Sequence, residues 1–472
     1  MQTRSSTALH ASSHLVPLLR GAFAFVVIVA GMLLCAFLVA KGSPTRIVAA
    51  TAIVLLPAVA YAGLRRPILF PYALYVLLIP FDNLLLISSV GTLTKLLGML
   101  SGLALLFWCM RIKRLQLPPR PLYVLLALLS WAFLSTLWAT SQRDALVALP
   151  QYVNLALLYA VTAVTPLTLL EFRLLLAATV VGGIAASIYG THQFYSNPLG
   201  VAGDILASRL VIQAGHSTID PNQFANALLF PIAILTIFAL RTRWLAFKAL
   251  GLGGIALMVG AVALSGSRET IVGVGAIVLY YFWRTRYRVE MAIVTGCGLA
   301  ASLAVQSSVW LRFANAISSG GGGRVAIWSV GFEAFKHNFL VGYGMGNFTT
   351  VYNEFYLRVR QNYPYGWWGP PHNLIVQVGV ELGVVGLALL AWFLASVFRD
   401  LKVIGPDDPL YEDRVMMEAS LISLFIVSMF IGLFTYKYAW LVFAMAAQLR
   451  LLVTQRAGIR RISPGESRRI AT

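Results

Sequence analysis

Residues 241–288 read RTRWLAFKALGLGGIALMVGAVALSGSRETIVGVGAIVLYYFWRTRYR. Two apolar runs, 245 to 265 and 269 to 283, are joined by the short polar turn Ser265-Gly266-Ser267-Arg268-Glu269. A helix needs about 20 mostly apolar residues to cross the hydrocarbon core of a bilayer, and each run approaches that length. Arg241, Arg243 and Lys248 stand at the near end of the pair, and Arg284, Arg286 and Arg288 at the far end. Lysine and arginine mark the cytoplasmic side of a membrane helix. Both basic ends are therefore read as inside and the intervening turn as outside.

The same pattern repeats outward along the chain. Further apolar segments lie near 21 to 40, 46 to 63, 67 to 87, 93 to 110, 121 to 139, 148 to 166, 172 to 194, 223 to 240, 289 to 308, 373 to 398, 416 to 436 and 438 to 454. With the N-terminus inside, every dense basic cluster falls on the cytoplasmic side: Arg65 with Arg66, Arg111 to Arg120, Arg399 with Lys402, and the tail from Arg456 to Arg469. The expected fold class is an all-α polytopic membrane protein of about 12 to 14 transmembrane helices, with one large extracytoplasmic loop. The expected divisions are an N-terminal bundle over 1–308, the loop over 309–371, C-terminal helices over 372–454 and a basic tail over 455–472.

Composition agrees. Of 472 residues, 59% are hydrophobic and 11% charged, against about one quarter charged in a soluble domain; the mean hydropathy is +0.79. These values exclude a soluble enzyme. The formal charge of +19 sits in short clusters beside apolar segments, where it sets topology rather than binding nucleic acid. Cys35, Cys109 and Cys297 lie in or at the edge of apolar segments without metal or disulfide spacing, and read as packing or lipid-facing residues. Arg4 and Arg20 precede the run 21 to 40 as in a signal sequence, but no clear small-x-small cleavage site follows before Lys41, so this is read as an uncleaved first span.

The loop 309–371 is too long for a simple connection and is rich in aromatic residues, among them Trp310, Trp328, Tyr352, Trp367 and Trp368, which bury apolar surface or stack on sugars. Its cations, Arg312, Lys336, Arg358 and Arg360, suit an anionic lipid carrying a glycan. In the outer turn, Ser267 is placed to cap the next helix and Arg268 lies at that helix's positive end, an anion site or an arginine snorkelling to headgroups. The run 320–323 is four glycines followed by Arg324, an approach to phosphate or a flexible joint. Gly342-Tyr343-Gly344-Met345-Gly346-Asn347 follows no strand and is not a dinucleotide loop.

Pro370-Pro371-His372-Asn373 opens a span containing Gly379, Gly383 and Gly386. Pro371 suits a helix start, which places His372 in the first turn, where the helix dipole keeps its ring neutral and able to take a proton. The bland alternative is an interfacial histidine that only hydrogen-bonds. The glycines read as helix-packing positions, and Glu381 lies deep enough to require a buried partner. Asp220-Pro221-Asn222 reads as a helix cap with a first-turn proline. No Asp-x-Asp or His-Glu-x-x-His pattern supports a metal.

Together these features resemble the O-antigen ligase and polymerase superfamily: Ser265-Gly266-Ser267-Arg268, Arg324 with Trp328, Gly342 to Phe348, and His372-Asn373 with Gly379, Gly383 and Gly386. The resemblance implies transfer of a glycan from undecaprenyl diphosphate to the lipid A core oligosaccharide, completing lipopolysaccharide. It also implies a bacterial inner-membrane location, a periplasm-facing site and an inverting reaction that uses neither metal nor cofactor. On this match His372 is the catalytic base, and Arg268, Arg324, Lys95 and Asn373 bind substrate. An O-antigen polymerase would use the same residues. A protein O-oligosaccharyltransferase is a further alternative, and a non-catalytic polysaccharide transporter would account for the spans without chemistry.

Overall fold

The computed structural model describes residues 65–82, 91–112, 116–196, 209–214, 217–292, 324–359 and 371–466, with Gly63, Leu84, Leu86, Ile87 and Gly296. The expected spans 21 to 40, 46 to 63 apart from Gly63, and most of 289 to 308 lie outside these residues, as do Cys35, Cys297 and the glycines 320–323. The described chain is helical apart from two short antiparallel ribbons, β1 (Leu86–Ile87) with β2 (Gly91–Thr92) and β3 (Ile212–Ala214) with β4 (Ser217–Ile219).

The helices are α1 (Ala73–Leu78), α2 (Leu93–Ile112), α3 (Arg120–Leu134), α4 (Gln142–Val164), α5 (Leu169–Ser196), α6 (Pro221–Ala227) and α7 (Leu229–Arg241). They continue as α8 (Leu245–Ser265), α9 (Arg268–Arg284), α10 (Arg324–His337), α11 (Phe348–Val359), α12 (Leu374–Leu401), α13 (Tyr411–Ser428) and α14 (Lys437–Glu466). Seven segments among the described residues are long and apolar enough to cross a membrane: α2, α3 with its terminal turn, α4, α5, α6 with α7, α8 and α12. α9 is 17 residues long, and α13 carries Glu412, Asp413, Arg414 and Glu418. The expected span 67 to 87 is instead broken, with an irregular turn holding Pro71 ahead of α1 and a 3-10 turn holding Pro80 after it. Proline supplies no backbone N–H and its ring crowds the preceding turn, so it kinks or breaks a helix.

The continuous segment α6–α7 is the centre of the bundle, with 89% of its most apolar window buried against 22% in α8. α7 packs on α5, α8 and α13, while α9 lies along α13 and α3 along α12. The outer helices turn large apolar groups outward, including Leu103, Phe107 and Met110 of α2 and Phe247 and Leu250 of α8. Such faces would aggregate in water but are solvated by hydrocarbon. Cys109 is buried, its thiol donating to the Thr165 hydroxyl at 3.6 Å, in keeping with a packing role.

Ion pairs sort the loops into two ends. At one end Arg173 pairs with Asp413, Arg241 with Glu412 at 2.8 Å, Arg414 with Glu418 at 2.9 Å and Arg284 with Glu418 at 4.0 Å. These groups come from the four segments that the charge pattern assigns to a single side. The segments assigned to the other side meet at the opposite end, where α10 and α11, both within the expected loop 309–371, dock on α12.

That docking uses a break in α12. Gly383 has φ 66, and a Cβ there would lie 2.3 Å from the Leu340 carbonyl oxygen. The interruption leaves helix carbonyls without their usual donors. Tyr343 N–H donates to Val380 O at 2.9 Å, Gly344 N–H to Glu381 O at 2.9 Å and Trp131 Nε1–H to Leu382 O at 3.0 Å, while Val384 N–H donates to Phe339 O at 2.7 Å. Backbone groups at membrane depth require such internal partners. Gly383 is thus a loop-docking break rather than a packing position in an unbroken helix. Glu381 is buried here too, where Gln377 Nε2 donates to its Oε1 at 3.5 Å and the backbone N–H groups of Gly346 and Phe348, leading into α11, are close by.

Candidate active site

The Ser265-Gly266-Ser267 turn between α8 and α9 is held from outside its own hairpin. Arg209 donates from Nε to Ser265 O at 2.6 Å and from Nη2 to Asn222 Oδ1 at 2.6 Å, tying the turn to the start of α6. Gly266 takes the left-handed conformation that ends α8. Ser267 occupies the N-cap position of α9, but its hydroxyl does not cap the helix. It bonds the Thr270 hydroxyl at 2.8 Å, and Thr270 donates to Asn226 Oδ1 at 2.5 Å, which satisfies the acceptor end of that buried carboxamide. Arg268 follows as the first residue of α9, half-buried at the helix's positive end.

Glu269, the next residue, is buried and faces Arg324 at the start of α10, with Oε1 3.6 Å from Nη2. Arg324 also lies over the Phe430 ring at 5.7 Å. One turn on, Trp328 packs against the same ring at 6.3 Å and donates from Nε1 to the Pro371 carbonyl at 3.2 Å. The ion pair therefore fixes α10 against α9, and the indole bond fixes it against the segment that carries His372.

His372 is not in the first turn of α12. Asn373 is the N-cap, its Oδ1 accepting from Ile375 N–H at 2.9 Å and Val376 N–H at 3.0 Å, so the helix begins at Leu374. An asparagine that satisfies two orphan donors outcompetes a proline as the start signal. His372 precedes the cap at φ 47, a left-handed conformation seldom taken outside glycine. The expected dipole effect therefore gives way to a different cause. Burial and then the Arg324 guanidinium push the imidazole pKa below its ordinary value of 6.5, against the opposing pull of Asp220.

Asp220 does cap α6 as expected, accepting from Asn222 N–H at 2.9 Å and Gln223 N–H at 3.0 Å. Its second role, as a carboxylate within electrostatic reach of His372, has no signal in the local sequence. Asn373 is engaged at both ends of its carboxamide, since Nδ2 donates to Met429 O at 3.1 Å. Lys95 lies at the start of α2, exposed, beside a network in which Lys437 Nζ donates to Asp82 at 2.6 Å and to Thr94 at 2.8 Å. Arg324 and His372 are thus brought within electrostatic reach of each other, Arg268 joins them through its neighbour Glu269, and Lys95 lies beside the Lys437 network. Lys437 and Arg209 were not singled out as functional by sequence reasoning. Each is an outer cation next to an apolar span, and only tertiary contacts distinguish them from topology markers.

The arrangement offers fixed guanidinium groups for an anion with planar phosphate geometry and, beside them, a neutral imidazole that can accept a proton. By sequence, residues 225–391 match the family model described as O-antigen ligase. No match to a curated protein was found. The matched segment runs from α6 into α12 and contains Arg268, Arg324 and His372, and the match supports membership of the O-antigen ligase superfamily.

Proposed function

We propose that the protein is a glycosyltransferase that moves O-antigen polysaccharide from undecaprenyl diphosphate to the lipid A core oligosaccharide at the periplasmic face of the bacterial inner membrane. The observation that carries this reading is that Arg324 and His372 lie within electrostatic reach of each other, their segments joined by the Trp328–Pro371 hydrogen bond.

A sugar hydroxyl is a weak nucleophile, and its attack is assisted by a base that removes its proton in the transition state. In this reading His372 is that base. The acceptor oxygen attacks the anomeric carbon of the donor sugar from the face opposite the diphosphate, the carbon–oxygen bond to phosphate breaks, and the configuration inverts. Negative charge then builds on the departing diphosphate, where Arg268 and Arg324 stabilise it without a metal. Glu269 holds Arg324 in place from behind, and Asn373 positions His372 by capping α12 rather than by touching substrate. Lys95 is assigned a subsidiary electrostatic role towards the donor.

Incubating purified protein with radiolabelled donor lipid, and with either lipid A core or a second donor lipid as acceptor, tests the proposal. Label moving onto lipid A core is the expected result. Label accumulating in longer lipid-linked chains would identify a polymerase, and label that only changes compartment in proteoliposomes would identify a transporter.

A further inference from the structure

α3 begins, and α12 ends, at the end of the bundle opposite His372. Between them lies a cavity of about 410 Å³ whose lining includes Arg120, Tyr123 and Ala127 of α3 and Trp392, Arg399 and Asp400 of α12. Asp400 is within electrostatic reach of Arg120, Arg399 and Arg450. Yet among the described residues Arg120, Arg399 and Asp400 form no direct ion pair. At the same end of the molecule Arg173, Arg241, Arg284 and Arg414 each reach an acid of α13. Charges there have closed on one another, whereas those around the cavity are held apart by the space between them.

We propose that this cavity binds a phospholipid whose headgroup carries both a phosphate and a primary ammonium, the phosphate between Arg120 and Arg399 and the ammonium against Asp400. Guanidinium groups match phosphate oxygens in a forked geometry that an ammonium cannot reproduce. A carboxylate at the membrane boundary requires hydrogen-bond donors, which a primary ammonium supplies and a choline headgroup does not. A headgroup with phosphate alone would meet Asp400 without compensating it. Exposed Tyr123 and Trp392 also line the cavity, apolar surface against which an acyl chain can pack. Basic pockets between membrane helices are established lipid sites, and the acid is what narrows the choice here.

The test uses the full-length purified protein with phosphatidylethanolamine, phosphatidylcholine or phosphatidylglycerol of identical acyl chains, reading retained lipid by native mass spectrometry. Phosphatidylethanolamine is expected to be held about tenfold more tightly than the other two, the equivalent of one charge-assisted hydrogen bond. Asp400→Asn should erase that preference while leaving phospholipid binding intact, and Arg120→Gln with Arg399→Gln should abolish binding. Ala127→Trp fills the cavity without touching a charge and should displace the lipid even if the arginine variant does not fold; thermal unfolding checks each protein. Equal retention of the three lipids, a preference for phosphatidylglycerol, or undiminished binding by Ala127→Trp would each overturn the proposal.

Discussion

His372 has a depressed pKa because burial and the Arg324 charge both oppose the imidazolium, more than Asp220 favours it. Its ring therefore stays neutral to lower pH than an ordinary histidine, and transfer should fall only as pH drops through that depressed value, below 6.5. His372→Ala is expected to keep the fold and donor binding, to lose roughly 10²- to 10⁴-fold in rate and to lack the acidic limb. Unchanged turnover with both substrates saturating would return His372 to an interfacial role. Arg324→Gln removes a positive charge near the ring, so the limb in its residual activity should move to higher pH; a limb that stays put would show that the two groups are not coupled. Arg268→Lys and Arg324→Lys should also impair transfer although charge is kept, because a point cation lacks the fork that grips phosphate. Normal initial rates at limiting donor in well-folded lysine variants would argue against that contact. The sequence singled these residues out as candidates because arginine and histidine beside the outer ends of apolar spans carry chemistry that the surrounding residues lack. The cause of the histidine's neutrality was not readable, because Asn373 moved the helix start and Arg324 and Asp220 approach from other elements.

At the scale of elements, the stretch Gly342 to Asn347 is a joint between α12 and the turn that follows α3. Asn347 Oδ1 accepts from Ser141 N–H at 2.6 Å, Met345 N–H donates to Ser135 Oγ at 3.0 Å, and the preceding residues fill the break at Gly383. Gly383→Ala combines a left-handed backbone with a Cβ directed at Leu340 O, and it should destabilise the protein by about 1–3 kcal/mol. A lowered midpoint of thermal unfolding in detergent is the expected sign, and an unaltered midpoint would mean that the break is not under constraint. Glycine content alone suggested close helix packing at this position. A helix pattern in sequence does not disclose that one of its carbonyl rows will be taken up by a loop from elsewhere.

For the whole molecule, α10 and α11 dock at one end and the α13 acids gather arginines at the other. If the charge pattern sets orientation, then in a protein stripped of its native cysteines a cysteine at exposed Asn353 should react with an impermeant maleimide in intact cells. One at exposed Asp407 should react only after the inner membrane is permeabilised. The reverse labelling would invert the molecule and remove the periplasmic site. The ion pairs of Arg241 and Arg284 at the α13 end join segments that the basic clusters assigned to one side, so the shared side of these ends was legible from charge.

The sequence by itself determined that the chain is a membrane-embedded helical bundle, where its polar turns fall, and which arginines and histidine stand out on them. These follow from transfer free energy and charge placement, which act locally along the chain. Only the tertiary structure decided that Asn373 caps α12, that Glu269 faces Arg324, that Asp220 comes within electrostatic reach of His372 and that Gly383 opens the helix to a loop. Each of these depends on groups distant in sequence competing for the same buried donor, acceptor or charge, and that competition is settled by packing rather than by local pattern.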